Sequence, residues 1–357
     1  MTARPPGNNA SDAPPAPGPY DGRDEGEDDL WFLPGPAEEE ADPSAPFAHQ
    51  PSEAALVADW AAAEAGLAAM LARVAGRLGA LDDRLSRGPA GWRHRLALIE
   101  VAELGWLVGD RVTSDRLALW VALRLSGVQD DSVALARMGW AMRRLTQGPM
   151  PEAGLMEFLG RHDHGHDRPE GSEPLADRVE SWLAVMRAAR GLHPLTRACL
   201  GFHLWPMAAL GPEGDRLEAA VTAARIAAED CRGGAFFVPL ASGGSAGLRD
   251  GGLPPARLAR WLDGIEVAVF SSMRHLDRLE SWVIHAGEVT AGLSGRTPRH
   301  LIDALVAWPM VSAPMAERLT GSSRAAVQRN LLWFQDHGLI REITGQGRFR
   351  FWRAALT

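Results

Sequence analysis

Apolar residues recur at helical spacing from Ser52 to Phe334, strand-like alternation is nearly confined to residues 339–352, and glycines and capping residues punctuate the helical runs. Together these observations predict a mainly α chain that closes on a small β-hairpin. Residues 1–50 are rich in Pro, Gly, Ala, Asp and Glu and predict a disordered acidic tail. Its one apolar spot, Trp31-Phe32-Leu33, reads as solvated, with docking on a basic surface of the chain as the alternative. Ser52 to Leu85 reads as one long Ala/Leu helix. Further helices are expected near 92–108, 113–126, 131–146, 151–161, 174–190, 194–205 and 215–230. Asp130 and Asp131 serve as N-caps, and Gly127, Gly148 and Gly191 as stops. Residues 233–254 read as a loop, and a long helix is expected from Pro255 to about Ala291. Trp106, Trp120, Trp140, Trp182, Trp205, Trp261 and Trp282 fall within these helices and read as core. The expected organisation is therefore a tail (1–50), an all-helical domain (51–292) and a distinct C-terminal segment (293–357).

That last segment carries the clearest signal. Thr297 is placed to cap a helix starting at Pro298, with Leu301, Leu305 and Trp308 on one side. Ser312 caps a short helix with Pro314 near its start and Met315, Ala316 and Leu319 together. Gly321 ends it, and Ser322 or Ser323 opens a third helix. In that helix Val327, Leu331 and Phe334 stand at i, i+4, i+7 and predict a buried stripe. Gly338 stops it; residues 339–343 and 348–352 alternate as two strands around a turn at 344–347. Three short helices followed by a hairpin predict a winged helix-turn-helix.

If the stripe points inward, Arg324, Ala325, Gln328 and Arg329 point outward near the helix N-terminus. Arg and Gln are the side chains that pair bidentately with guanine and adenine edges in the major groove, and the start of a recognition helix is where such contacts form. Ser322 and Ser323 fit a phosphate at the free N–H groups of the helix start. On the hairpin, Arg348 and Arg350 share one strand face and fit a backbone or minor-groove contact. The alternative is a protein-contact module whose arginines are solvated.

Charge follows the same division. The chain carries a formal net charge of −8, yet from Gly292 onward nine Arg oppose four acids, and the first 57 residues hold twelve acids against Arg4 and Arg23. A basic end on an acidic protein is the footprint of a nucleic-acid contact. All 37 basic residues are Arg, so no lysine nucleophile exists. Cys199 and Cys231 lack metal or redox spacing, no apolar run reaches membrane-spanning length, and no signal core is read at the N-terminus. A cytoplasmic setting is expected. His162-Asp163-His164-Gly165-His166-Asp167 gathers metal-ligand types but reads as a solvated loop, and Gly243–Gly247 lacks the strand and Lys of a phosphate cradle. His203 and His275 read as buried or half-buried structural histidines. No metal or cofactor is expected.

The segments 313–331 (APMAERLTGSSRAAVQRNL) and 338–350 (GLIREITGQGRFR) resemble the C-terminal part of an uncharacterised bacterial family, often plasmid-borne. Its members join a helical domain of unknown function to a helix-turn-helix. The resemblance continues in Phe202-His203-Leu204-Trp205-Pro206, Gly214-Asp215-Arg216-Leu217-Glu218, residues 274–280 and residues 81–85. More distantly the layout is similar to Fic proteins with a C-terminal winged helix, whose His-Pro-Phe loop transfers AMP. Here Trp205 stands where that base would be, and indole has no basic nitrogen. The resemblance therefore implies a degenerate site, with Arg216 as a possible remnant of a nucleotide pocket, and no catalytic residue.

These readings converge on a DNA-binding protein, a transcriptional or plasmid-maintenance regulator. Its helical domain is expected to dimerise or to sense a small-molecule or protein effector. A Fic-like nucleotidyl transferase and a toxin–antitoxin-type interaction module remain the alternatives, and an enzyme is not the expected reading.

Overall fold

The computed structural model describes residues 52–123, 132–161, 173–345 and 350–356. The readings on Trp31–Leu33, Gly127, Asp130, Asp131, the His162–Asp167 cluster and Arg348 lie outside them. Residues 51–357 cluster as one compact unit. It runs α1 (Glu53–Gly66), α2 (Ala68–Arg87), α3 (Gly91–Leu107), α4 (Ser114–Leu123), α5 (Ser132–Thr146), α6 (Leu155–Leu159), α7 (Leu175–Ala188), α8 (Pro194–Leu204), α9 (Leu217–Ala227) and α10 (Pro254–Val289). The C-terminal part adds α11 (Thr297–Ala307), β1 (Val311–Ser312), α12 (Ala313–Thr320), α13 (Arg324–Asp336), β2 (Ile340–Glu342) and β3 (Phe351–Ala354). The mainly α expectation with a small terminal sheet holds.

The single helix expected over 52–85 is two helices bent by 80° at Leu67. Trp60 and Ala63 fix the buried side of α1, whereas Leu71, Val74, Leu78, Leu81 and Leu85 form the stripe of α2. Turning the chain lets each stripe face the core. The pair matches a broken membrane span by length and composition alone, but its apolar residues line this core; no single described helix is long and apolar enough to cross a membrane.

Helices α8 and α9 sit at the centre: every residue of α8 is buried, and only Glu218 of α9 reaches the half-buried range. The 36-residue α10 packs against α1, α2 and α8, and its far end touches α11. At about 1.5 Å per residue it is roughly 54 Å long, so it ties the central helices to the C-terminal part. There Trp282 donates its indole N–H to the Leu339 carbonyl at 2.8 Å. Of the tryptophans read as core, Trp182, Trp205, Trp261 and Trp282 are buried and Trp120 and Trp140 partly so. Trp106 is 54% exposed, beneath the Arg111 guanidinium at 5.5 Å.

The connection from α9 to α10 has no regular hydrogen-bond ladder, yet Phe237, Val238, Leu240, Ala241 and Leu248 are buried in it. Buried backbone N–H groups need partners, and two carboxylates supply them. Asp82 accepts from the N–H groups of Arg232, Gly234 and Ala235 at 2.6–2.9 Å. Glu100 on α3, fully buried, accepts from Leu240, Ala241 and Ser242 at 2.8–3.0 Å and from the Ser242 hydroxyl at 2.7 Å. Burial pushes its carboxyl pKa upward against the pull of these four donors.

Candidate nucleic-acid interface

The interface is assembled on α11–α13 and the sheet. Ser312 caps α12 by accepting the Met315 N–H at 3.3 Å, and Gly321, at φ +61°, closes it in the left-handed region that a β-carbon disfavours. Ser323 caps α13 by accepting the Ala326 N–H at 3.4 Å. Thr297 does not cap α11 as expected. It is already the first helical residue, and its hydroxyl meets that of Ser322 at 3.0 Å, fastening the start of α11 to the α12–α13 turn. His300 Nδ1 lies 3.2 Å from the Thr320 carbonyl in the same seam.

Val327, Leu331 and Phe334 are each fully buried, as the stripe predicts. Arg324, Ala325, Gln328 and Arg329 are exposed, and Arg324 keeps 73% of its side chain in solvent with Glu317 at 3.8 Å. Leu332, 45% exposed, extends the same outward line at i+4 from Gln328, a position that the spacing already offered but that a search for polar groups passes over. Leu319, expected inside with Met315 and Ala316, is 46% exposed, because eight residues of α12 bury only a narrow side. Ser323 is exposed; Ser322 is half-buried against Thr297.

The hairpin expected from 339–343 and 348–352 is a three-stranded antiparallel sheet in the order β1-β3-β2, with its last strand set nearer the chain end. Glu342 explains where β2 stops: its carboxylate turns back onto the Thr344 and Gly345 N–H groups at 2.8 and 3.1 Å and onto the Thr344 hydroxyl. Slight burial opposes ionisation there, but these donors and nearby Arg350 outweigh it and hold the carboxyl below its ordinary value. β1 pairs Val311 with Trp352 and Ser312 with Phe351, so Phe351 and Trp352 become central and buried. Arg350, just before β3, is exposed.

Arg216 lies elsewhere, among the central helices. Its guanidinium pairs with Asp250 and stands 5.1 Å over the Phe202 ring, while His203 Nδ1 is 3.6 Å from the same carboxylate. Burial, then Arg257, pushes His203 down to about 4; burial, then Arg95 and Arg278, does the same to His275. Both imidazoles are thus neutral in the folded chain, whereas the unfolded chain takes up protons near pH 6.5. Stability from these residues is complete above that pH and drains away as pH falls toward 4. We expect urea titrations to show a loss of about 2 kcal/mol per histidine between pH 6.5 and 4.5. A His203→Gln/His275→Gln double variant with the same acid sensitivity as the parent would contradict this assignment.

Three helices with a capped, outward-facing third helix and a short antiparallel sheet define a winged helix-turn-helix, a class that docks on DNA. Residues 298–354 match the protein family described as an HTH DNA binding domain, which spans α11 to the end of β3. No curated protein matches the chain. Fold and family match together support a DNA-binding module at the C-terminus.

Proposed function

We propose that the protein is a DNA-binding regulator in which α13 enters the major groove, with residues 51–292 acting as a helical sensing and dimerisation domain for the winged helix at 293–357. The observation that carries this reading is the fully buried ridge of Val327, Leu331 and Phe334, which leaves Arg324, Gln328 and Arg329 exposed to solvent. These three side chains read base edges, and Leu332 meets thymine methyl groups. Ser323 and the free N–H groups opening α13 hold a phosphate, with Ser322 positioned behind them by Thr297. Arg348 and Arg350 hold the backbone from the wing. A homodimer doubles these contacts on a two-fold site.

The test is a selection of bound fragments from random DNA with the full chain, followed by binding measurements on the recovered site. Arg329→Ala is expected to cost about 1–3 kcal/mol on that site and to relax base preference at one position. An equal loss on random DNA would rule it out as a base reader. Arg350→Ala should instead weaken all sequences alike and lower the salt slope by about one.

A further inference from the structure

A cavity of about 250 Å³ lies where the sheet meets the central helices. One wall is β2, β3 and the α11–β1 connection, through Arg341, Arg353 and Met310; the other is α3, α4 and α10, through Arg95, Asp115 and His275. Its charges do not balance. Arg95 is 5% exposed, and among the described residues its guanidinium donates only to neutral carbonyl groups, those of Leu305, Val306 and Trp308. Burial lowers its pKa to about 9. Arg341 and Arg353 are direct partners in the β2–β3 ladder, and like charges in that register repel. Asp115 takes Arg353 with both oxygens, at 2.7 and 2.6 Å, and no acid within ion-pair reach among the described residues answers Arg341. The start of α4, at Ser114 and Asp115, also faces the space and brings the positive end of a helix. His275 Nε2 is buried there without a hydrogen-bond partner among the described residues. Leu98 and Ile99 supply an apolar side.

We propose that this cavity binds a small organic acid, its carboxylate held by Arg95 and Arg341 and its apolar body against Leu98 and Ile99, as an effector of the winged helix. Guanidinium groups pair bidentately with carboxylates, and the charge deficit in the cavity is what such a ligand repairs. The effector role rests on the DNA-binding reading above; the site itself does not. A bound anion clamps the sheet to α4 and cancels positive charge carried by the sheet of the winged helix, so it weakens DNA binding.

Melting of the full chain without DNA, in millimolar benzoate, hexanoate, benzamide or inorganic phosphate, tests the site. At least one of the two carboxylates is expected to raise Tm by about 2–4 °C, with benzamide inert. The shift should vanish in Arg341→Gln, an exposed position where folding is not at stake, and in Ile99→Phe, which fills the apolar side. No shift with either carboxylate, or a shift that survives both variants, overturns the site. A shift with phosphate alone overturns the organic-acid assignment. The stabilising carboxylate should then raise the Kd for the selected DNA about fivefold. Unchanged Kd with the Tm shift intact removes the effector role and leaves the site. Arg329→Ala separates the two readings: it loses specific DNA binding and keeps the Tm shift.

Discussion

Replacing Glu100 by alanine is expected to destabilise the fold by about 3–5 kcal/mol, because it removes the buried acceptor of four hydrogen bonds. Three backbone N–H groups and one hydroxyl lose their acceptor at once. Each stranded donor costs about 1–3 kcal/mol, and relief from burying the carboxylate offsets only part of the sum. Glu100→Gln should cost less, because one oxygen still serves Leu240 and Ala241, while its amide NH2 confronts the Ser242 N–H. Urea titration orders the variants as wild type, Gln, Ala. Amide hydrogen exchange should show residues 240–242 losing protection first. An alanine variant within 1 kcal/mol of the parent would falsify the view that Glu100 organises this connection.

Neither Glu100 nor Arg95 announces its role in the sequence. Both sit on α3, whose apolar residues surround the helix, so a polar residue there carries no periodic signal. Their partners lie 140 and more than 200 residues away, in the α9–α10 connection and at the end of α11, and are backbone groups that no residue pattern marks. The cavity beside Arg95 is equally silent, since its walls meet only after folding. By contrast the stripe of α13 was legible, because Val327, Leu331 and Phe334 lie within one helix whose caps are local residues. From that stripe the outward placement of Arg324, Gln328 and Arg329 followed. β1 was not legible: two residues, Val311 and Ser312, form a strand only because Phe351 and Trp352 reach them. The bend at Leu67 was hidden for a related reason, as Ala and Leu suit both α1 and α2 and only the side each buries distinguishes them.

The second large effect concerns how the winged helix is seated on the central helices. Gly91 opens α3 against the end of α11, and a β-carbon there would fall on the carbonyl group of Ala307. Both partners are backbone, so no side chain can swing aside and the two helices must part. One turn further along α3, Arg95 reaches the carbonyls of Leu305, Val306 and Trp308, so separation at Gly91 also pulls on those bonds. Gly91→Ala is therefore expected to cost about 2–4 kcal/mol, combining overpacking with weakened buried hydrogen bonds. The control is the same substitution in α2, at Gly76 or Gly79, where an added β-carbon meets nothing within 4 Å. There the gain in helix propensity should stabilise the chain by up to about 1 kcal/mol. Thermal melts of the three variants separate the two mechanisms by sign. A neutral Gly91→Ala would mean that α3 and α11 yield freely, and the rigid seat on which the effector proposal depends would go with it.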